Sequence, residues 1–160
     1  MLADKIGNNL WMSQKASGNH MKKLILLLLT VLIIWSCSQK TTFLPSSQMP
    51  TAQGHVKIRK DYNSDYDVSL TVINLTSAQM LSPAKKNYVL WAESADVRPE
   101  SMGKFQSYKR ILSRSPKGKL ESIVTTEPIR FFITAEENDY PQFPSDHVIL
   151  ITKLFNIKEQ

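Results

Sequence analysis

The chain has 160 residues, 20 Lys+Arg against 14 Asp+Glu, a formal net charge of +6 and a single cysteine. That length supplies one domain of ordinary size, and one thiol excludes an internal disulfide framework, so any fold rests on its hydrophobic core. Without Lys5, Lys15, Lys22, Lys23 and Asp4 of residues 1–36, 16 Lys+Arg and 13 Asp+Glu remain, a net charge of +3, which argues against nucleic acid as a partner.

Residues 1–20 lack apolar periodicity, and Gly7-Asn8-Asn9 and Ser17-Gly18-Asn19 oppose a helix. They read as an upstream extension ahead of Met21, the more natural start. Residues 21–36 have the parts of a cleavable export signal: basic Met21-Lys22-Lys23, an apolar stretch from Leu24 to Trp35, and Ser36 before the cut. The apolar stretch is shorter than the roughly 20 residues a spanning helix needs. Ile34-Trp35-Ser36-Cys37 resembles a bacterial lipobox, in which the cysteine is acylated and becomes the first mature residue. Trp35 is bulkier than the usual residue there. Cys37 is therefore the expected lipid-attachment site, preferred over an intermolecular disulfide, a nucleophile or a metal ligand. Two or more acyl chains, at about 0.8 kcal/mol per buried CH₂, anchor a protein stably.

Residues 37–53 are rich in Ser, Thr, Gln and Pro and read as a flexible linker that lifts the folded part off the membrane. Ser38 stands where an aspartate often retains lipoproteins in the inner membrane. The expected location is thus the cell envelope, lipid-anchored in the outer membrane and facing the periplasm.

Residues 54–160 read as one β-domain. Val56 and Ile58 alternate with Lys57 and Arg59, and Val68, Leu70 and Val72 alternate with Ser69 and Thr71, as half-buried strands do. Tyr88 to Glu93 is a continuous apolar run that suits a central strand packed on both faces. Tyr108 to Leu112 and Leu120 to Val124 flank Pro116-Lys117-Gly118 and predict a hairpin. Phe131 to Ala135 and Val148 to Leu154 predict the last two strands. Asp61-Tyr62-Asn63-Ser64-Asp65, Ser82-Pro83, Arg98-Pro99 and Tyr140-Pro141 supply turns, and Ala78 to Lys86 predicts a short helical turn. About seven strands so punctuated predict an all-β, antiparallel immunoglobulin-like sandwich.

Tyr88-Val89-Leu90-Trp91-Ala92-Glu93 resembles the Tyr-x-Leu-Trp strand of the C-terminal extracytoplasmic domain of the anti-sigma-K factor family. Met102-Gly103-Lys104-Phe105 stands at the place of that family's Gly-containing turn. Phe132-Ile133-Thr134-Ala135-Glu136 is similar to its Phe-x-x-Thr-x-Glu strand, and Pro144 before Val148 to its late proline. The resemblance covers roughly residues 68–152 and implies an immunoglobulin-like module outside the cytoplasm. It does not carry over sigma-factor inhibition, because the family's cytoplasmic helical domain and transmembrane helix have no counterpart here, and Glu137-Asn138-Asp139 replaces its Pro and Gly pair.

Several patterns invite a chemical reading. Asp61 to Asp67 begins like a calcium loop, but Tyr66 and Val72 occupy the positions that need Gly and Glu, so a solvated turn is expected. His20, His55 and His147 have no ligand cluster at zinc spacing, and no metal or other cofactor is expected. No serine sits in a Gly-x-Ser-x-Gly elbow, and Glu136-Glu137 face opposite sides of a strand. Arg130 is the expected salt-bridge partner of Glu136. No catalysis follows from these patterns. Lys104, Lys109, Arg110, Arg114, Lys117 and Lys119 run without an intervening acid. They read either as a soluble edge that resists aggregation or as a contact surface for lipid phosphates or an acidic envelope partner.

The expectation is a non-enzymatic protein-interaction or structural module of the envelope, joined to the membrane by its lipid and to an unidentified envelope protein. The alternative is a sensory or regulatory accessory, related to anti-sigma extracytoplasmic domains, that acts through a membrane partner.

Overall fold

A computed structural model describes residues 22–23, 38–109, 111, 113 and 115–157. Met1–Cys37 and Ser38–Gln160 form separate units. Cys37, Arg110, Arg114 and nearly all of the export signal lie outside the described residues.

Among the described residues there are eight strands: β1 (Gln39–Thr42), β2 (Gln53–Lys60), β3 (Tyr66–Ile73), β4 (Asn87–Glu93), β5 (Glu100–Phe105), β6 (Lys117–Val124), β7 (Arg130–Glu136) and β8 (Val148–Ile151). A 3₁₀ turn at Ala78–Met80 answers to the expected helical turn. The first sheet has the order β1-β2-β3-β6 and the second β5-β4-β7-β8, with every pairing antiparallel. The chain crosses between sheets after β3, β5 and β6, so neither sheet is a simple meander and the two faces must fold together.

The alternation in sequence explains the shared core. Val56 and Ile58 of β2, Tyr66, Val68, Leu70 and Val72 of β3, and Val124 of β6 face Tyr88, Leu90 and Ala92 of β4 and Phe131, Ile133 and Ala135 of β7 in one buried cluster. Successive strand residues point to opposite faces, and here every second one meets the opposing sheet. Tyr88 enters this core with its hydroxyl donating to the Thr76 carbonyl at 2.8 Å, and burial pushes the phenol's pKa up.

Three expectations are corrected. The segment expected as a linker is part of the fold. Gln39 to Thr42 pair with Ile58 to His55; Phe43 then bridges Thr152, and the Leu44 N–H donates to the Ile151 carbonyl at 2.8 Å. This polar stretch thus stitches the open edge of the first sheet to the second, and Met49 and Ala52 behind it are buried in the core. The domain therefore starts near Ser38, not at Gly54.

Of the expected 108–112 strand, the described residues Tyr108, Lys109 and Ile111 form no ladder. Only Tyr108 bridges Lys117, while β6 takes β3 as its partner over its full length. Pairing with β3 buries Leu70 and Val124, whereas Ile111 is exposed and has no core to enter. Met102 to Phe105, placed at a turn by the family resemblance, belongs to strand β5. A bulge lies opposite Leu90/Trp91, and Gly103 there has φ +127°, a conformation that a Cβ strains.

Candidate functional sites on the two outer sheet faces

The outer faces of the two sheets differ in kind. On the second sheet, Asn87, Val89, Trp91 and Glu93 of β4 point away from the shared core, directly opposite Glu136, Thr134, Phe132 and Arg130 of β7. Trp91 is only 1% exposed and stacks on Phe132 at 6.3 Å between ring centroids; Val89 and Ile151 complete a second small cluster. The continuous apolar run of β4 is therefore packed on both faces, as its sequence predicts.

A buried polar chain runs beside this cluster. The indole N–H of Trp91 donates to Thr134 Oγ1 at 2.8 Å, and the Thr134 hydroxyl donates to Glu136 Oε1 at 2.5 Å. The backbone N–H of Ser145 donates to the same carboxylate oxygen at 2.9 Å. Glu136, 5% exposed, is thus held by hydrogen bonds and not by Arg130. Arg130 instead pairs with Glu93, directly across the ladder, at 2.5 Å. The physical reason is length. Arg130 and Glu136 occupy opposite ends of β7, about 20 Å apart at 3.4 Å per residue.

The connection between β7 and β8 is pinned by charge. Glu137 pairs with Lys85 at 2.7 Å, and Asp139 with Lys86 and with Lys104. Lys104 also lies over the Tyr140 ring at 4.6 Å, and Arg98 over Phe143 at 5.8 Å. The Lys85 ammonium holds the Glu137 carboxyl below its ordinary pKa, and Lys86 and Lys104 do the same for Asp139. A cleft of about 440 Å³ remains between Lys85, Glu136, Glu137, Ser145, Asp146 and His147. Its Ser145 hydroxyl donates to the Ala135 carbonyl at 3.2 Å, and the 7%-exposed Lys85 is held by Glu137. Among the described residues, Asn87 Oδ1 is the buried side-chain polar atom left without a partner.

The outer face of the first sheet is bare and basic. Lys40 lies opposite Lys57, which lies opposite Ser69 and then Glu121. The next outward row is Thr42, His55, Thr71 and Lys119, followed by Gln53, Ile73 and Lys117. Arg59 is matched by Asp67 at 2.6 Å. Among the described residues, Lys40, Lys57, Lys117 and Lys119 are in no ion pair within 4.0 Å. Partial burial, with help from Lys40 and Lys57, lowers the His55 pKa. An open depression of about 450 Å³ adjoins this face, lined by Thr42, Leu44, Pro45, His55, Thr71 and Ile73.

The basic run read from sequence therefore divides between the sheets. Lys104 sits on the second sheet, engaged by Asp139 and Tyr140. Lys117 and Lys119 join Lys40 and Lys57 on the first, and Lys109 lies in the connection after β5. Sequence reading missed Lys40 and Lys57, whose signal was only the alternation of β2 and a polar segment that did not look like a strand. The calcium-like Asp61 is occupied by its own turn, accepting the Asn63 and Asp65 N–H groups at 2.8 and 2.9 Å. Among the described residues no group of three or more His, Cys, Asp or Glu converges as a metal site. His55 and His147 lie on different sheets. The chain matches no protein-family model, no curated protein and no solved structure.

Proposed function

We propose that this chain is a lipid-anchored protein of the bacterial envelope whose β-sandwich works by binding, as a protein-interaction or structural module, without catalysis. Its location on this reading is the periplasmic side of the outer membrane. The observation that carries the reading is the start of β1 at Gln39, one residue beyond Ser38. A chain acylated at Cys37 then presents a rigid two-sheet body at the membrane surface, with a bare sheet face for contact. The engagement of Ser145, Lys85 and Glu136 in holding their own loop also supports binding over group transfer.

Acylation gives the first prediction. Cys37→Ala should abolish acyl labelling and leave the signal uncut by the lipoprotein peptidase; undiminished labelling of that variant overturns the anchor. A second reading, a sensory accessory acting through a membrane partner, draws on the adjacency of the two strands that carry the family-like motifs, with Trp91 stacked on Phe132. Crosslinking of the anchored protein to a regulator of transcription would favour it over the structural reading.

A further inference from the structure

We infer that the outer face of the first sheet is a docking surface for the anionic headgroup layer of the membrane, contacted through Lys40, Lys57, Lys117 and Lys119. The inference rests on the lipid-anchor reading above and adds an orientation to it. Among the described residues, four lysines in no ion pair stand on three strands of one sheet face, where Glu121 is the one acid not already matched. Lys40 and Lys57 are directly opposite each other, an arrangement that costs stability because like charges on facing positions repel. A polyanionic surface removes that cost and replaces it with attraction.

The shape of the face selects the occupant. The residues between the lysines include Thr42, His55, Ser69 and Thr71, so the ammonium groups stand on a polar background. Protein hot spots are instead built around buried aromatic or arginine anchors seated in pockets; the open depression here, lined by Phe43, Leu44, Pro45 and Ile73 besides Thr42, His55 and Thr71, has none of the four lysines in its lining. Ile123, 60% exposed at the Arg59 end of the same face, suits the boundary below the headgroups. The opposite sheet is not available in the same way, since the β7–β8 connection is already pinned across its edge.

The tether supplies proximity. Cys37 and Gln39 are two Cα steps apart, about 7 Å at most, which is less than the roughly 8 Å Debye length of physiological salt. An acyl chain on Cys37 therefore holds the start of β1 inside the field of the surface, with Lys40 the next residue along the strand. Docking then needs only a rotation of the body, at a high effective concentration.

Lysine footprinting tests this. The full-length mature protein is reconstituted into vesicles of equal parts phosphatidylglycerol and phosphatidylcholine, or of phosphatidylcholine alone. The amine-acylation rate of each lysine is then read by mass spectrometry. Lys40, Lys57, Lys117 and Lys119 should react at least about fivefold more slowly on the anionic vesicles, the factor expected from about 1 kcal/mol per lysine. Lys86 and Lys153 should not change, and high salt should erase the difference. The mass of the N-terminal peptide reports acylation separately. If Cys37 proves unmodified, the anchor fails, and the docking is judged by holding residues 38–160 on the same vesicles through an N-terminal histidine tag and a nickel-chelating lipid. Equal reactivity on both vesicles, or protection appearing only when an acidic envelope protein is added, overturns the docking. In the untethered segment, K40A/K57A/K119A should weaken partition to anionic vesicles about a hundredfold, with an unchanged circular dichroism spectrum showing that the fold survives.

Discussion

Trp91 shows how one residue serves both packing and polarity. Its ring stacks on Phe132 on the outer face of β4, while its N–H enters the chain through Thr134 to Glu136. Trp91→Ala should cost about 3–5 kcal/mol, the usual range for removing a buried large aromatic, out of about 5–15 kcal/mol for a whole domain. Chemical denaturation should find the variant largely unfolded, and an unchanged midpoint would show that the ring is not packed. Trp91 is also the only tryptophan beyond residue 36, so native emission of the mature chain should be blue-shifted and move red on unfolding. Gly118 makes the opposite point, that space can matter more than substance. A Cβ there would meet the Phe105 ring at 2.7 Å and Leu75 at 3.1 Å, and that ring is fixed against Tyr88. Gly118→Ala should therefore destabilise by about 1–3 kcal/mol, as overpacking does, whereas alanine normally stabilises a glycine site free of contacts.

At the scale of an element, the connection between β7 and β8 is long and polar, yet it is fastened to three strands or their approaches. Glu137 and Asp139 both titrate below their ordinary values because Lys85, Lys86 and Lys104 favour their charged forms. The sign follows from linkage. A carboxylate whose pKa is depressed in the fold adds stability above its unfolded pKa, near 4, and that stability is lost as the pH falls through the depressed values. The connection should accordingly loosen below about pH 4 while the ladders persist. Hydrogen-exchange protection factors over residues 137–147 should fall in that window before those of β4 and β7 respond. Simultaneous loss of protection everywhere would show that the clamp is not a separate unit.

For the whole molecule, the decisive feature is that β1 and residues 43–44 join the two sheets. A segment of residues 38–157 should be soluble and strand-rich by circular dichroism and should melt cooperatively. A segment of residues 54–157, lacking β1, Met49 and Ala52, should melt at least several degrees lower, since about 1 kcal/mol moves the midpoint of a domain this size by roughly 4–8 °C. Equal melting temperatures would return residues 38–53 to the role of a linker. Their polar composition conceals their role because an edge strand gains hydrogen bonds along one side and needs little apolar surface of its own.

The sequence by itself determined the all-β class and the positions of β2, β3, β4, β6 and β7, because alternation reports one buried face and an unbroken apolar run reports two. It also predicted Trp91 as a core residue, and the structure buries it. Burial of β4 on both faces follows from its composition alone. What only the tertiary structure decided were pairings that depend on distant residues. Strand β1 is Gln-Lys-Thr-Thr and becomes a strand only because β2 offers it an edge. Strand β5 hides its periodicity behind the bulge at Gly103. Arg130 finds Glu93 across a ladder instead of Glu136 along its own strand. The basic surface shows the same division: Lys104 and Lys119 are near in sequence, but the crossing between β5 and β6 places them on different sheets, and Lys119 shares its face with Lys40 and Lys57. Charge is written locally in a chain, but which charges share a face is fixed by strand order, which long-range packing sets.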